Sequence, residues 1–296
     1  MTGRLRGKPR QWHKVQGEDD MAGLETKDGQ VTHIDLGGFN KLRWTGRGFM
    51  LYNRNDMYVG ESINLYGEYN AAEAALLKRM VNPASIVVEV GANMGSHTIP
   101  LSRWAGKVHA FEPQRLMYQV LTANAALNHC TNVYTYQCAL GAREGFVPIP
   151  RVPPDRTNNF GALGVLGKKE LDAIAHEHVP CYALDEVCEQ RNINPNLVKI
   201  DVEGMEIEVL TGAEKVIRRQ RPLLYVENDR ESSGEALIKV VRGLGYRLYW
   251  HRPELGPKWP GVVSQNMVCV PKEMNTQPYT EGLEPVTGYT PLAPAG

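Results

Sequence analysis

Residues 86–113, IVVEVGANMGSHTIPLSRWAGKVHAFEP, decide the fold. Residues 86–90 are a short, β-branched apolar run that ends at Gly91. A run of that length bounded by a glycine turn reads as a buried strand. Residues 96–104 read as a helix, and 108–111 are a second apolar run. Strand, helix and strand in sequence make a crossover unit, which belongs to a parallel sheet covered by helices on both faces. Such sheets bind ligands beyond the carboxyl ends of their strands. The residues just after each strand are therefore the places to look for chemistry.

Working outward, the alternation continues. Residues 114–128 form a helix pattern with Leu116, Val120, Leu121, Ala125 and Leu127 apolar, and 133–138 read as the third strand. Residues 141–165 are Gly/Pro-rich and read as a loop or hairpin insertion, and 151–168 suit a lid over the strand ends. Helices are expected at 184–191, 206–219 and 234–244, and strands at 197–202, 223–227, 246–250 and 267–270. The last two strands have no helix between them, which suits an antiparallel pair at the sheet edge. Upstream, 31–66 read as short strands or hairpins, and 68–81 as a helix with Ala71, Ala74, Ala75, Leu77 and Met80 available for one face. The expected organisation is a basic mobile arm (1–30), N-terminal strands with a cap helix (31–84), a main domain (85–273) and a loosely docked Pro/Gly-rich tail (274–296).

Composition limits the function classes. The 296 residues carry 33 Lys plus Arg against 33 Asp plus Glu, a formal net charge of zero. A chain-wide nucleic-acid surface would announce itself as a basic excess. No stretch reaches the roughly 18 apolar residues of a membrane span. The basic N-terminus has no apolar run after it, so a secretory signal is not expected. Five cysteines with no CxxC pair fit reduced thiols and a cytoplasmic location.

The strand ends carry the chemistry. The first ends in Glu89-Val90-Gly91-Ala92-Asn93-Met94-Gly95, and the second in Glu112. Gly91 permits a tight turn, and Gly95 brings the next helix and its free N–H groups close to a ligand. An acid at the second strand end takes ribose hydroxyls. Dinucleotide sites share this geometry but favour G-x-G-x-x-G; here Asn93 stands where a second glycine would be. Glu89 would repel a pyrophosphate, and it suits a cofactor with an amino-acid head and a sulfonium. S-adenosylmethionine has both, with an adenosine ribose besides. The fourth core strand ends in Lys199-Ile200-Asp201-Val202-Glu203, which puts three ionisable residues on one side of a buried strand. That is costly unless they are paired or functional.

Four blocks in order, VVEVGANMGSHTIPLS (87–102), HAFEPQ (109–114), KIDVEGMEIEVLTGA (199–213) and PLLYVEND (222–229), resemble the FkbM-type methyltransferases. The resemblance implies a Rossmann-like class I methyltransferase sheet, mostly parallel with an antiparallel last strand, and a small N-terminal β/α cap. It implies S-adenosylmethionine as cofactor and a hydroxyl of a sugar, glycan or natural product as acceptor. Glu89, Gly91, Asn93 and Gly95 would hold the methionine part, Glu112 the ribose, and Cys138 and Ala139 would lie near the adenine. Asp201 would face the methyl group and the acceptor. Glu68, in the run Leu65-Tyr66-Gly67-Glu68-Tyr69, would contribute from the first helix. Asn70 departs from the family, which often has an acid there.

Methyl transfer to a hydroxyl is helped by a general base. Asp201 is the first candidate, Glu203 the second and His97 the third, with His251 weaker. A magnesium route through Asp201, Glu203, Glu227 and Asn228 is the alternative, disfavoured by the charge of Lys199. Tyr58, Tyr66, Tyr69, Trp250 and Trp259 could stack on sugar rings or simply pack. Two other functions stay open: a nucleic-acid methyltransferase of the same fold, which the neutral charge disfavours, and a non-catalytic S-adenosylmethionine-binding protein. The sequence carries no signal of oligomeric state.

Overall fold

The computed structural model describes residues 24–27, 30–164 and 175–292. Positions 1–23 of the expected arm, and 165–168 of the expected lid, lie outside the described residues. Four antiparallel strands come first: β1 (Leu24–Lys27), β2 (Gln30–Asp35), β3 (Asn40–Thr45) and β4 (Gly48–Asn53), paired in chain order. The arm expected over 1–30 is corrected at its end, because residues 24–27 pair with β2.

Residues 59–66, read from sequence as part of the hairpins, are instead helix α1 (Val59–Tyr66). Asp56 supplies the start by accepting the N–H groups of Tyr58 and Gly60 at 3.0 and 3.2 Å. Gly67 ends it at φ 77°, a conformation that glycine adopts without strain. Helix α2 (Ala71–Met80) is capped by Asn70, whose side chain accepts the Glu73 N–H. Leu77 and Met80 are buried against the sheet. Leu77→Ala would cost roughly 2–5 kcal/mol by leaving a cavity.

The crossover series follows: β5 (Ile86–Val90), α3 (Thr98–Trp104), β6 (Lys107–Phe111), α4 (Arg115–Leu127) and β7 (Val133–Tyr136). The Gly/Pro-rich insertion forms its own small sheet. In it β10 (His176–Tyr182) lies between β8 (Ala139–Leu140) and β9 (Gly145–Pro150). Next come α5 (Leu184–Arg191), β11 (Leu197–Ile200), α6 (Glu206–Gly212) and α7 (Glu214–Gln220). The single helix expected over 206–219 is broken at Ala213. Asp185 accepts the N–H groups of Lys215 and Val216, so the second segment has its own cap. The chain closes with β12 (Leu223–Glu227), α8 (Glu231–Gly243), β13 (Tyr246–His251), β14 (Asn266–Pro271), α9 (Gln277–Thr280) and β15 (Glu284–Pro285).

The main sheet has the order β15-β13-β14-β12-β11-β5-β6-β7. Strands β7, β6, β5, β11 and β12 run parallel, and β14 runs antiparallel between β12 and β13. This is the expected mixed α/β architecture. Alternation sorts the side chains by face: Val88, Val90, Val198 and Ile200 join one core cluster, Val87 and Leu197 the other.

The loosely docked C-terminal tail is a second correction. β15 pairs with β13, Val286 is buried, and the Tyr289 hydroxyl donates to the Asp229 carbonyl at 2.9 Å. The β13 edge had unpaired backbone groups, and this segment satisfies them.

The N-terminal unit is fastened to the main domain by two asparagines one turn apart, Asn124 on α4 and Asn128 at its C-cap. Asn124, fully buried, exchanges hydrogen bonds with Leu51 (2.6 and 2.9 Å) and donates to the Met94 carbonyl at 2.8 Å. Asn128 does the same for Phe49 at 3.0 and 2.6 Å. Their amides act as a surrogate strand partner for β4, and Asn124 fixes the turn after β5 as well.

Candidate functional site

A cavity of about 260 Å³ opens at the carboxyl ends of β5, β6, β11 and β12. It is walled by the turn after β5, the start of α2, residues 159–163 and the β13–β14 loop.

One half is built around Glu112, with Asn93 and Gln114 beside it and apolar side chains on its other walls. This carboxylate is 3% exposed and takes the Asn93 N–H on Oε2 at 2.8 Å and the Gln114 N–H on Oε1 at 2.7 Å. Burial pushes its carboxyl up to about 7, against the pull of those two N–H groups. Asn93 holds φ 51°, a left-handed conformation that asparagine tolerates. Cys138, Ala139, Leu140 and Ile149 line this half. Gly91 sits at φ 82°, and a Cβ there would lie 1.8 Å from the Asp201 carbonyl oxygen, so the two strand ends touch through backbone. Gly95 does not line the cavity; it shapes the turn at φ 89°, and its N–H bonds the Ala92 carbonyl.

The other half is crowded with charge. Register places Tyr225, Lys199 and Glu89 in one row across β12, β11 and β5, facing α2. Lys199 is 2% exposed and reaches Asp201 Oδ2 at 2.9 Å and Glu73 Oε1 at 3.9 Å. Burial works against its charge, but Asp201, Glu73 and Glu89 outweigh it and raise the ammonium pKa. Burial pushes Glu73 and Glu89 up to about 7, with Lys199 opposing. Glu89 also accepts the Thr98 hydroxyl at 2.7 Å. His97 stands 3.3 Å from Glu73 and is held well below its ordinary range by burial, with Lys199 and Arg47 adding to the shift, so its ring is neutral. Among the described residues, Glu73 Oε1 and both His97 nitrogens lack a hydrogen bond. Leaving such a group buried and unmatched costs about 1–3 kcal/mol.

At the mouth of this half, carboxylate oxygens of Asp201, Glu203 and Glu227 lie within 4.8 Å of one another. Glu203 pairs with Arg230 at 2.7 Å. Burial, then Asp201 and Asp229, push Glu203 up to about 8. Burial, then Asp201 and Glu203, raise Glu227 well above the carboxylate range. The donors are hard oxygens of the kind magnesium takes. Lys199 and Arg230 already neutralise two of them, which leaves a poor fit for a divalent ion.

Several expected contributors lie elsewhere. Glu68 is turned to Arg47 in an ion pair and does not line the cavity. Asn228 donates to the Gly234 carbonyl at 3.2 Å, away from the acids. His251 Nδ1 meets the Tyr225 hydroxyl at 2.8 Å, and Trp250 is buried in the core. Trp259 packs on Tyr58 with ring centroids 5.5 Å apart; Tyr58 and Tyr69 line the cavity, and Tyr66 does not. The expected lid reaches the cavity through Asn159, Gly161, Ala162 and Leu163. Glu73 was not anticipated. Its signal was its spacing: residues 73, 77 and 80 share one helix face, and the other two are Leu and Met.

Six parallel strands with an antiparallel strand inserted before the last of them, a glycine turn after β5 and a buried acid after β6 define a Rossmann-like methyltransferase architecture. The chain matches the model of the methyltransferase FkbM domain over residues 89–248, more than half its length, and belongs to that family. It is 30% identical over 160 residues to methyltransferase sdnD of Sordaria araneosa, covering 44% of this chain and 60% of that protein. It is 30% identical over 141 residues to the hexuronic acid methyltransferase AglP of Haloferax volcanii, covering 46% of this chain and 53% of that one. The chain thus spans less than two thirds of these curated relatives. A crystal structure of methyltransferase FkbM from Methylobacillus flagellatus superposes with a TM-score of 0.44 at 17% identity, over 64% of this chain and 44% of that one. No helix among the described residues is long and apolar enough to cross a membrane.

Proposed function

We propose that this chain transfers the methyl group of S-adenosylmethionine to a hydroxyl of a sugar, glycan or natural-product acceptor. The observation that carries this reading is that Glu112 and Asp201 open into one cavity, the first at the apolar half and the second at the charged half. The residues suit the cofactor. Glu112 has both oxygens oriented by backbone donors and keeps acceptor capacity for two ribose hydroxyls. The walls beside it offer an apolar slot for adenine. Bound there, the cofactor supplies an electrophilic methyl group.

The chain's own residues supply position and a proton acceptor. Lys199 fixes Asp201 through Oδ2, which leaves its second oxygen to accept the proton of an acceptor hydroxyl. Glu203, tied to Arg230, shapes the acceptor side and is the weaker base candidate. Tyr58, Leu255 and Val262 give that side an apolar and aromatic wall on which a sugar ring can stack. The hexuronic acid specificity in the name of one relative supports a sugar acceptor.

Thermal-shift titration with S-adenosylhomocysteine tests the cofactor half. Wild type should be stabilised, and Glu112→Ala should lose roughly 1.5–3 kcal/mol of binding, because an ionised acceptor is removed. Absence of a wild-type shift would remove the cofactor assignment. Assays with uronic acid and neutral saccharide acceptors, with RNA alongside, test the acceptor half; methylation of RNA alone would overturn the sugar reading.

A further inference from the structure

The cavity wall at residues 159–163 belongs to a segment with little structure of its own. Between Arg151 and Gly164 the chain forms no helix and no strand, only an isolated bridge at Asn158. Within the segment, the Arg156 N–H donates to the Pro153 carbonyl at 3.4 Å, and Asn159 Oδ1 accepts the N–H groups of Gly161 and Ala162 at 3.2 Å. Such local turns shape the loop but do not fix where it lies. Ordering a loop costs conformational entropy at every residue, so a wall built this way needs anchors from outside.

The anchors come from the turn between β4 and α1. Asn53 Nδ2 and Asn55 Nδ2 both donate to the Pro154 carbonyl, at 3.0 and 2.9 Å. A carbonyl oxygen has two lone pairs, and here two amides take them. Asn53 Oδ1 also accepts the Asn55 N–H at 2.8 Å, so the first amide sets the turn that aims the second. Further along the loop backbone takes over. Asn158 donates to the Asn55 carbonyl and Met57 donates to the Asn158 carbonyl, each at 3.0 Å, which makes the bridge between Asp56 and Asn158. Pro153, Asp155, Arg156 and Thr157 are exposed, so the grip gains little from burial. What it gains is the placement of the residues that follow.

Those residues cross both halves of the cavity. The Phe160 ring is buried with Tyr52 and Val59, and its carbonyl accepts Gln114 Nε2 at 2.9 Å, beside Glu112. A Cβ on Gly161 would lie 3.3 Å from Asn93 Nδ2, and one on Gly164 would lie 2.6 Å from the Glu203 carbonyl oxygen. The loop therefore runs backbone-close from the turn after β5 to the acids after β11. We propose that Asn53 and Asn55 are positioning residues for the cofactor pocket: by gripping Pro154 they hold residues 159–163 in place as its wall. Neither asparagine lines the cavity, so each acts through that wall. This inference rests on the cofactor reading above and extends it to the N-terminal unit, which becomes part of the binding apparatus.

Asn55→Asp tests the proposal, since aspartate keeps the shape of the side chain and removes the N–H donor. Wild type and variant are compared by calorimetric titration with S-adenosylhomocysteine and by hydrogen–deuterium exchange read by mass spectrometry. In wild type, S-adenosylhomocysteine should slow exchange in peptides covering 156–164 by at least about threefold. In the variant, exchange there should rise by at least about threefold without ligand, while peptides covering β5 and β6 keep wild-type protection over the same times. The variant should bind S-adenosylhomocysteine about five- to tenfold more weakly, the scale of one lost hydrogen bond. Wild-type exchange at 156–164 that ignores the bound ligand would overturn the proposal and leave the cofactor reading standing, and this arm requires no variant to fold. Unchanged affinity in the variant would overturn it too. So would a loss of protection in β5 and β6 alongside 156–164, which marks a general structural role. If wild type does not bind S-adenosylhomocysteine at all, the cofactor reading itself fails and the proposal with it.

Discussion

The two halves of the cavity solve recognition differently. Around Glu112 the polar atoms are matched within the chain: two backbone N–H groups hold one carboxylate, the Gln114 side chain donates to the Phe160 carbonyl, and Cys138, Ala139, Leu140 and Ile149 supply apolar wall. Around Lys199 the polar atoms are many and partly unmatched, with Glu73, Glu89, Asp201 and His97 crowding one ammonium. The first half is a preset mould whose geometry exists before any ligand arrives. The second keeps buried charge in a strained balance. A preset acceptor suits the hydroxyls of an uncharged sugar; crowded charge suits a reaction that moves a proton.

Asp201→Asn attacks the charged half at its centre and carries the largest expected effect. The amide oxygen can still accept from Lys199, so the fold is retained, but the proton acceptor is gone. Turnover should fall by about 10²–10⁴-fold, the usual contribution of a positioned base. Affinity for S-adenosylhomocysteine should stay within a few fold, because the mould around Glu112 is untouched. Steady-state kinetics with calorimetry checks both. A variant that keeps full turnover would move the base role to another residue, with Glu203 next.

Asn124→Ala attacks the support of the apolar half. It deletes the bonds to Leu51 and to the Met94 carbonyl in the turn after β5. The buried backbone groups it leaves unmatched should lower stability by about 2–4 kcal/mol, read by urea denaturation. An effect below about 0.5 kcal/mol, the range of ordinary surface substitutions, would show that the N-terminal strands are not fastened through this amide.

The halves also differ in how legible they were. Glu112 follows a strand directly, so locating the strand located it, while Cys138 and Ala139 were named through the family resemblance. The charged half is assembled across distant segments: Glu73 from α2, His97 before α3, Lys199 and Asp201 from β11, Glu227 from β12. The local motif names Asp201 and Lys199, but only the packing of α2 on the sheet brings in Glu73. Glu68, two residues before the cap Asn70, was expected at the cofactor because the run 65–69 resembles the family's entry to its first helix. Helix phase decides otherwise: Glu73 shares the face of Leu77 and Met80, while Glu68 precedes the helix and meets Arg47. The order of core elements was readable because crossover units leave a strong pattern. Helix α1 and the C-terminal β15 were not. The first is set by Asp56 and Gly67 inside a stretch that resembles hairpins, and the second gains its conformation from the β13 edge it covers.

The smallest effect distinguishes how the halves hold their acids. Burial raises Glu112 and Glu73 alike to about 7, from an ordinary value of 4.5. A carboxyl whose folded pKa lies above its unfolded one binds protons on folding. Its contribution is therefore greatest below about pH 4.5 and declines as pH rises through about 7. A glutamine cannot ionise, so the stability of Glu112→Gln relative to wild type should increase between pH 5 and pH 8, by on the order of 1–2 kcal/mol. Glu73→Gln should show a comparable increase, because its folded value is the same. Lys199 favours the ionised form of Glu73, and that attraction is already contained in the value of about 7. Glu112 is favoured only by backbone dipoles, and a glutamine side-chain oxygen keeps one of those bonds. Chemical denaturation of the three proteins at matched pH values reads the difference. Equal rises would show that Lys199 offsets the heavier crowding of acids around Glu73, whereas a clearly steeper rise for Glu73→Gln would mean that Lys199 directs its charge to Asp201 alone and leaves Glu73 an uncompensated acid.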